Sequence, residues 1–192
     1  MKATRVPEWL QHLRTDRRGL PVPYVNRWGL VDDPALLSIE YDMHVRGPGV
    51  FYDDRAETEP DFTRQHVARQ RECMSAGLCQ VCAHPVPWSR RFLVVAGLSV
   101  ERIHLAGREV AVVTEPWLCE RCAHFATSTC PALIRRTRDE DLTLIPITSK
   151  RDVQMIASRG WVEGPLVEHS REVQPAMWVK LALTGVRLEA AS

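Results

Sequence analysis

The chain has 192 residues, 45% of them hydrophobic and 26% charged, which is the composition of a folded globular protein and excludes a disordered or low-complexity one. Its 25 basic and 24 acidic side chains leave a formal charge of +1, so no overall field draws it to nucleic acid or to a membrane surface. No run approaches the ~20 apolar residues needed to cross a bilayer. The opening MKATRVPEWLQHLRTDRRG lacks the apolar core of a secretory signal, so the expectation is a soluble cytoplasmic protein with reduced thiols.

Residues 1–58 are rich in proline, glycine and aspartate and are expected to form an extended segment packed on the body. Within it Glu8–Leu13 suits a short helix, Gly19–Gly29 an extended stretch, and Gly47-Pro48-Gly49 a turn. His44 lies near Asp42, Asp53 and Asp54 in sequence, a candidate polar site whose simpler reading is turn and surface. A helix is predicted from Pro60, a residue suited to a first helical position, to Gly77, a residue suited to a C-cap.

The strongest signal follows. Cys79-Gln80-Val81-Cys82 and Cys119-Glu120-Arg121-Cys122 are two C-x-x-C pairs separated by 36 residues. In a reducing compartment such pairs point to a tetrahedral zinc site rather than to two disulfides. Two intervening residues let one tight turn aim both sulfurs at a single ion. Four thiolates complete the shell of zinc and leave no position for substrate, so the metal is expected to be structural. An iron–sulfur cluster also takes four cysteines, but the tight C-x-x-C-x-x-C core is missing. Cys73 reads as a small buried hydrophobe. Cys130, His84 and His124 stand close enough in sequence to join or support the site, or to lie beside it without contact.

Between the pairs, Arg91–Gly97 and Glu109–Val113 are β-branched and read as strands of one hairpin turning at Ala106-Gly107. A helix is expected from Cys119 to about Thr129. Knuckle, hairpin and a helix carrying the last two ligands make a treble-clef-like order, with the positive helix N-terminus facing thiolates. Beyond it, Leu142–Ile147 reads as a strand, Ser149–Arg159 as a helix capped by Ser149 and Asp152 and stopped at Gly160, and Met177–Leu183 as a strand extended by Val186–Leu188 around Thr184-Gly185. The six tryptophans are spread along the chain, which suits core and edge packing. The expected architecture is therefore α+β: a zinc module with its leading helix over 59–138, embedded in one small domain with 1–58 and 139–192.

Charge is unevenly placed. Residues 1–63 carry −3, 64–138 carry +6 and 139–192 carry −2. The arginines of the middle stretch either offset the doubly negative zinc–thiolate centre and the acidic flanks, or present a phosphate-binding surface. Arg90, Arg91, Arg121, Arg135 and Arg136 are the candidate nucleic-acid or anion contacts. No phosphate loop, dinucleotide glycine motif, H-E-x-x-H or deaminase His-x-Glu is present.

The runs LCQVCAHP, RFLVVAGLSVER and EPWLCERCAHFATSTCPAL, with the opening DRRGLPVPYV, resemble a group of small uncharacterised proteins of actinobacteria and their phages. That resemblance spans residues 15–25 and 78–133 and implies ligand roles for Cys79, Cys82, Cys119 and Cys122. It implies no activity. The expectation is a zinc-stabilised binding protein contacting nucleic acid or another protein. The alternative is a small tailoring or phage-defence enzyme with structural zinc, its catalytic groups in the N-terminal carboxylate–His cluster or at His104, Glu115 and His124.

Overall fold

The computed structural model describes residues 6–29, 36–54, 58–96, 101–138, 142–159 and 174–185. They form a mixed α+β structure. Strands β1 (Asn26–Trp28) and β4 (Pro60–Gln65) pair in a two-stranded sheet. A six-stranded sheet is centred on β11 (Ala176–Leu183). One side of β11 is lined throughout by antiparallel β10 (Val153–Arg159). Its other side is shared: β3 (Gly47–Tyr52) meets it at Ala176, and β7 (Arg108–Val113) pairs with Leu181–Leu183. The hairpin partners β2 (Leu37–Asp42) and β6 (Glu101–Leu105) complete this sheet. The third sheet has the order β8 (Leu118–Cys119), β5 (Arg91–Ala96), β9 (Leu142–Ile147). Helices α1 (Val67–Ala76), α2 (Glu120–Thr129) and α3 (Pro131–Arg138) complete the described elements.

The period-2 alternation of β5 explains the layering. Leu93 and Val95 point into the main core, with Ile145 and Ile147 of β9, Val113 of β7 and Leu181 of β11. Phe92, Val94 and Leu144 point the other way, against the cysteine cluster. The three-stranded sheet thus lies between the large sheet and the cysteine module, and Arg91–Val95 of β5 are all buried or partly buried.

Helix α1 is the hub. It begins about two turns later than expected, because Pro60–Gln65 is a strand paired with β1 and the chain enters the helix only at His66. At its far end Gly77 adopts φ +70, and the N–H groups of Gly77 and Leu78 both reach the Cys73 carbonyl. That pair of hydrogen bonds is the left-handed C-cap expected of a glycine. Here the residue is doubly constrained, since a Cβ at Gly77 would lie 2.0 Å from Nη2 of Arg91. Arg91 is buried, stacks on Trp88 and Trp117, and donates from Nε to the Val86 carbonyl. Gly77→Ala should therefore destabilise by about 2–4 kcal/mol, from the positive φ plus the expulsion of the guanidinium. Urea unfolding measures it, and a loss below ~1 kcal/mol would contradict the account.

The N-cap carries a pH dependence. His66 accepts the Arg69 N–H at Nδ1 (3.4 Å) and donates from Nε2 to the Tyr52 carbonyl (2.6 Å). The bond at Nδ1 requires the neutral imidazole, whereas the Nε2–H bond to the Tyr52 carbonyl persists in either form and slightly favours the proton. Burial, then the neighbouring Arg69 charge, lowers its pKa from 6.5 to about 4, against a partial opposing pull from Asp54. The unfolded chain takes the proton first, so His66 stabilises fully above pH ~6.5 and that contribution is lost as pH falls toward ~4. The shift corresponds to about 3 kcal/mol. His66→Asn keeps a capping acceptor and should flatten this part of the stability–pH profile. An unchanged difference in slope between pH 6.5 and 4 would exclude the role.

Three other expectations are corrected. The Ser149–Arg159 helix is a single 3-10 turn, Lys150–Asp152, followed by strand β10. The cap itself forms: Ser149 Oγ accepts the Arg151 N–H and Asp152 accepts the Ser149 N–H. The β-branched and apolar residues after it gain seven ladder positions on β11, which outweighs local helix preference. Arg91–Ala96 is a strand, but its partners are β8 and β9 rather than β7. The Ala106-Gly107 turn, with both φ values positive, joins β6 to β7 as a two-residue hairpin, a geometry that pairs immediate neighbours. Gly47-Pro48-Gly49 is not a turn but the start of β3, and the turn is Met43–Arg46, where Asp42 accepts the His44 N–H. Gly49 is needed because Arg71 and Asp42 would both lie 2.9 Å from a Cβ there. Gly97, Gly160, Trp161 and Val186–Leu188 lie outside the described residues.

Candidate metal centre

Cys79 and Cys82 sit in a tight turn directly after α1, closed by a bridge between Leu78 and Pro85. The Cys79 N–H bonds the His84 carbonyl and the Ala83 N–H bonds the Cys79 carbonyl, with Ala83 at φ +58. Cys119 ends strand β8 and is the N-cap of α2, and Cys122 lies in the first turn of that helix. The Cys119 N–H points at Cys79 Sγ, 3.4 Å away. The two pairs are thus tied backbone to sulfur before any ion is considered.

All four sulfurs lie within 4.8 Å of one another, and all six cysteines are free. A tetrahedral ion with bonds of about 2.3 Å to sulfur needs neighbouring sulfurs roughly 3.8 Å apart. The cluster is compatible with that. Cys79, Cys82 and Cys122 are buried and Cys119 is partly covered. As thiols, the four interact strongly. The hydrogen bond to Cys119 pushes Cys122 well up, while bonds from Cys122 and then Cys79 hold Cys119 down as the preferred thiolate. A cation among them would relieve this competition by accepting all four in deprotonated form.

The surroundings are more elaborate than the cysteine spacing indicates. Leu10, Val81, Val86, Leu118 and Ala123 pack around the sulfurs. The Tyr24 and Val25 N–H groups bond the Val81 and Gln80 carbonyls, and the Gln80 N–H bonds the Trp117 carbonyl. His12 reaches the Cys82 carbonyl at 3.0 Å through Nε2 and packs edge-on against His84. Trp9 packs edge-on against Phe125 of α2. Residues 6–25 are therefore a brace for the centre. Nothing in their spacing marks them, except that Leu10 is an apolar residue in a short helical turn.

The remaining candidates fall elsewhere. His84 offers its carbonyl rather than its ring, His124 is exposed on α2, and Cys130 caps that helix half-buried, outside the four-sulfur group. Cys73 is fully buried, its thiol driven up first by burial. Of the arginines, Arg90, Arg121, Arg135 and Arg136 are exposed, and Arg121 approaches the Trp9 ring. Arg91 is enclosed by two tryptophans, as described, so its guanidinium has no open face to offer a phosphate. Arg69 pairs with Asp54 at 2.6 Å and Arg71 with Asp42 at 2.6 Å, so part of the positive charge of the middle stretch is internal. Those same pairs engage the N-terminal carboxylates. His104, Glu115 and His124 are exposed, on β6, on the loop before β8 and on α2.

No protein-family model, curated protein or solved structure matches this chain. Among the described residues no helix is long and apolar enough to cross a membrane.

Proposed function

We propose that this is a zinc-stabilised binding protein. Cys79, Cys82, Cys119 and Cys122 hold one structural Zn2+ in a treble-clef-like module, and the protein acts by contacting a macromolecule. The observation that carries the reading is the convergence of four free sulfurs within 4.8 Å at a turn and a helix start. Four thiolates fill the shell of zinc, so the ion would brace the fold and leave no coordination position for chemistry. The reducing cytoplasm is the compartment this chemistry needs. Membership of the actinobacterial and phage group belongs to the same proposal, resting on the LCQVCAHP and EPWLCERCAHF runs. Exposed Arg90, Arg121, Arg135 and Arg136 are the anion contacts if the macromolecule is nucleic acid.

Metal analysis of chain purified without added metal tests the first half: about one zinc per chain is expected from a four-thiolate site. A brown, iron-containing sample, or a metal-free folded protein, would overturn it. Retention on a generic DNA duplex across salt concentration tests the second half. Binding that weakens steeply with salt would favour nucleic acid, and no retention at low salt would leave a protein as the partner.

A further inference from the structure

We infer that strand β10 is a docking edge for an extended segment of a partner protein. The segment carries alternating apolar side chains and an acidic residue, joins the sheet beside β10, and seats side chains in the groove between β10 and the Met43–Arg46 turn. This deepens the binding reading above, and depends on it, by choosing protein over nucleic acid.

Three observations carry it. First, β10 pairs with β11 along its whole length, and among the described residues no strand pairs with its other side. Val153–Ser158 contains neither charge nor proline. Edge strands usually defend themselves with such residues. The opposite edge does so, since β6 exposes Glu101, Arg102 and His104. Among the described residues, β10 up to Ser158 is therefore an uncovered ladder of donors and acceptors, with a charge only at its end, Arg159.

Second, the core-side face of β10 opens into a cavity of about 460 Å3 whose apolar wall includes Met43, Met155, Ala157 and Val179. Met43 is 75% exposed and Met155 40% exposed. Two exposed thioethers, one on the Met43–Arg46 turn and one on β10, form an adaptable surface of the kind used to hold varied apolar side chains. In strand addition the main chain supplies affinity and such pockets supply selection.

Third, the groove is charged one way. Its ionisable lining is His44 and Arg46, and no carboxylate is among its described lining residues. The Arg159 guanidinium lies against Gly47, the first residue of β3 directly after that turn. An acidic side chain on the incoming segment complements this rim. A phosphate backbone would meet two methionines for one exposed arginine, which suits it poorly.

The turn is held ready for the purpose. Asp42 fixes the His44 N–H, and Ser75 of α1 donates to the His44 carbonyl. The groove therefore needs little ordering on binding, which lowers the cost of association.

The probe is a phage-displayed library of random twelve-residue peptides, selected on the full-length metal-loaded chain. The expected result is enrichment of peptides with apolar residues at alternate positions and an Asp or Glu. A synthetic winner should bind at least tenfold more weakly to Met155→Glu, and again to Arg46→Glu, two exposed substitutions. N-methylation at every second peptide amide should abolish binding, and at the intervening amides should leave it. No enrichment, a basic consensus, a three-to-four-residue helical period in the N-methyl scan, or binding untouched by both substitutions would overturn the proposal. So would duplex binding that Met155→Glu removes. Metal content is read separately on each variant, so failure of the zinc assignment and failure of the docking edge are distinguishable.

Discussion

Cys122→Ser should cost the protein the folding of its middle third. Cys122 is fully buried and lies in the first helical turn of α2. If the four sulfurs hold zinc, the binding energy of the ion is folding energy, about 10–16 kcal/mol for comparable sites. A domain of this size is stable by about 5–15 kcal/mol in total. Losing one ligand of four therefore threatens the whole margin. The damage should be graded. Leu10, Val86 and Leu118 pack directly on the sulfurs, and one face of β5 rests on that cluster. The large sheet has its own core around Val179, Leu181 and Leu183 and should persist longest. Amide exchange should accordingly accelerate first in residues 78–96 and 118–130. Cys82→Ser and a strong zinc chelator should act alike. Retention of the parental melting temperature by either variant would contradict the account.

Breaking the Asp42–Arg71 pair should be the next most damaging change. Arg71 is completely buried, with Nε 2.6 Å from Asp42 and its other nitrogens on the carbonyls of Val50, Ala176 and Met177. The guanidinium bolts the β2–β3 hairpin to the body, because β3 shares only one ladder pair with β11, Ala176 with Gly49. Asp42→Ala strips the counter-charge and leaves a buried cation, at a cost of about 3–5 kcal/mol. Arg71→Met leaves the buried carboxylate instead and should cost about as much. The double variant should recover part of the loss, since neither charge then remains. Additive losses would show that the pair does not act as a unit. Exchange of residues 47–52 should rise in either single variant. Binding at the β10 groove should weaken as well, because Asp42 also anchors the Met43–Arg46 turn.

Legibility in the sequence followed distance along the chain. The Gly77 cap, the Ser149–Asp152 capping pair and the Ala106-Gly107 turn all form where expected, because each depends on neighbours within a few residues. What came after the last two was less secure. The Ser149 cap opens one turn and yields to a strand, and the Ala106-Gly107 turn joins β7 to β6 and not to β5. Strand partners are settled by which edges are free after the other segments have packed, a competition that no local pattern encodes. The arginines were equally opaque. Arg71, Arg91 and Arg135 are the same residue type in one basic stretch, yet two are enclosed by a carboxylate or by tryptophans and the third is exposed.

By itself the sequence determined the identity of the sulfur cluster. C-x-x-C brings two thiols onto one turn through local geometry, and only convergence of the two turns had to be supplied from outside. The tertiary structure alone decided which segments brace that cluster, which charges lie inside, and which sheet edge has no partner strand among the described residues. Those outcomes depend on contacts between residues tens of positions apart, where the free energy of burial and the closing of long loops, rather than local preference, select the partner.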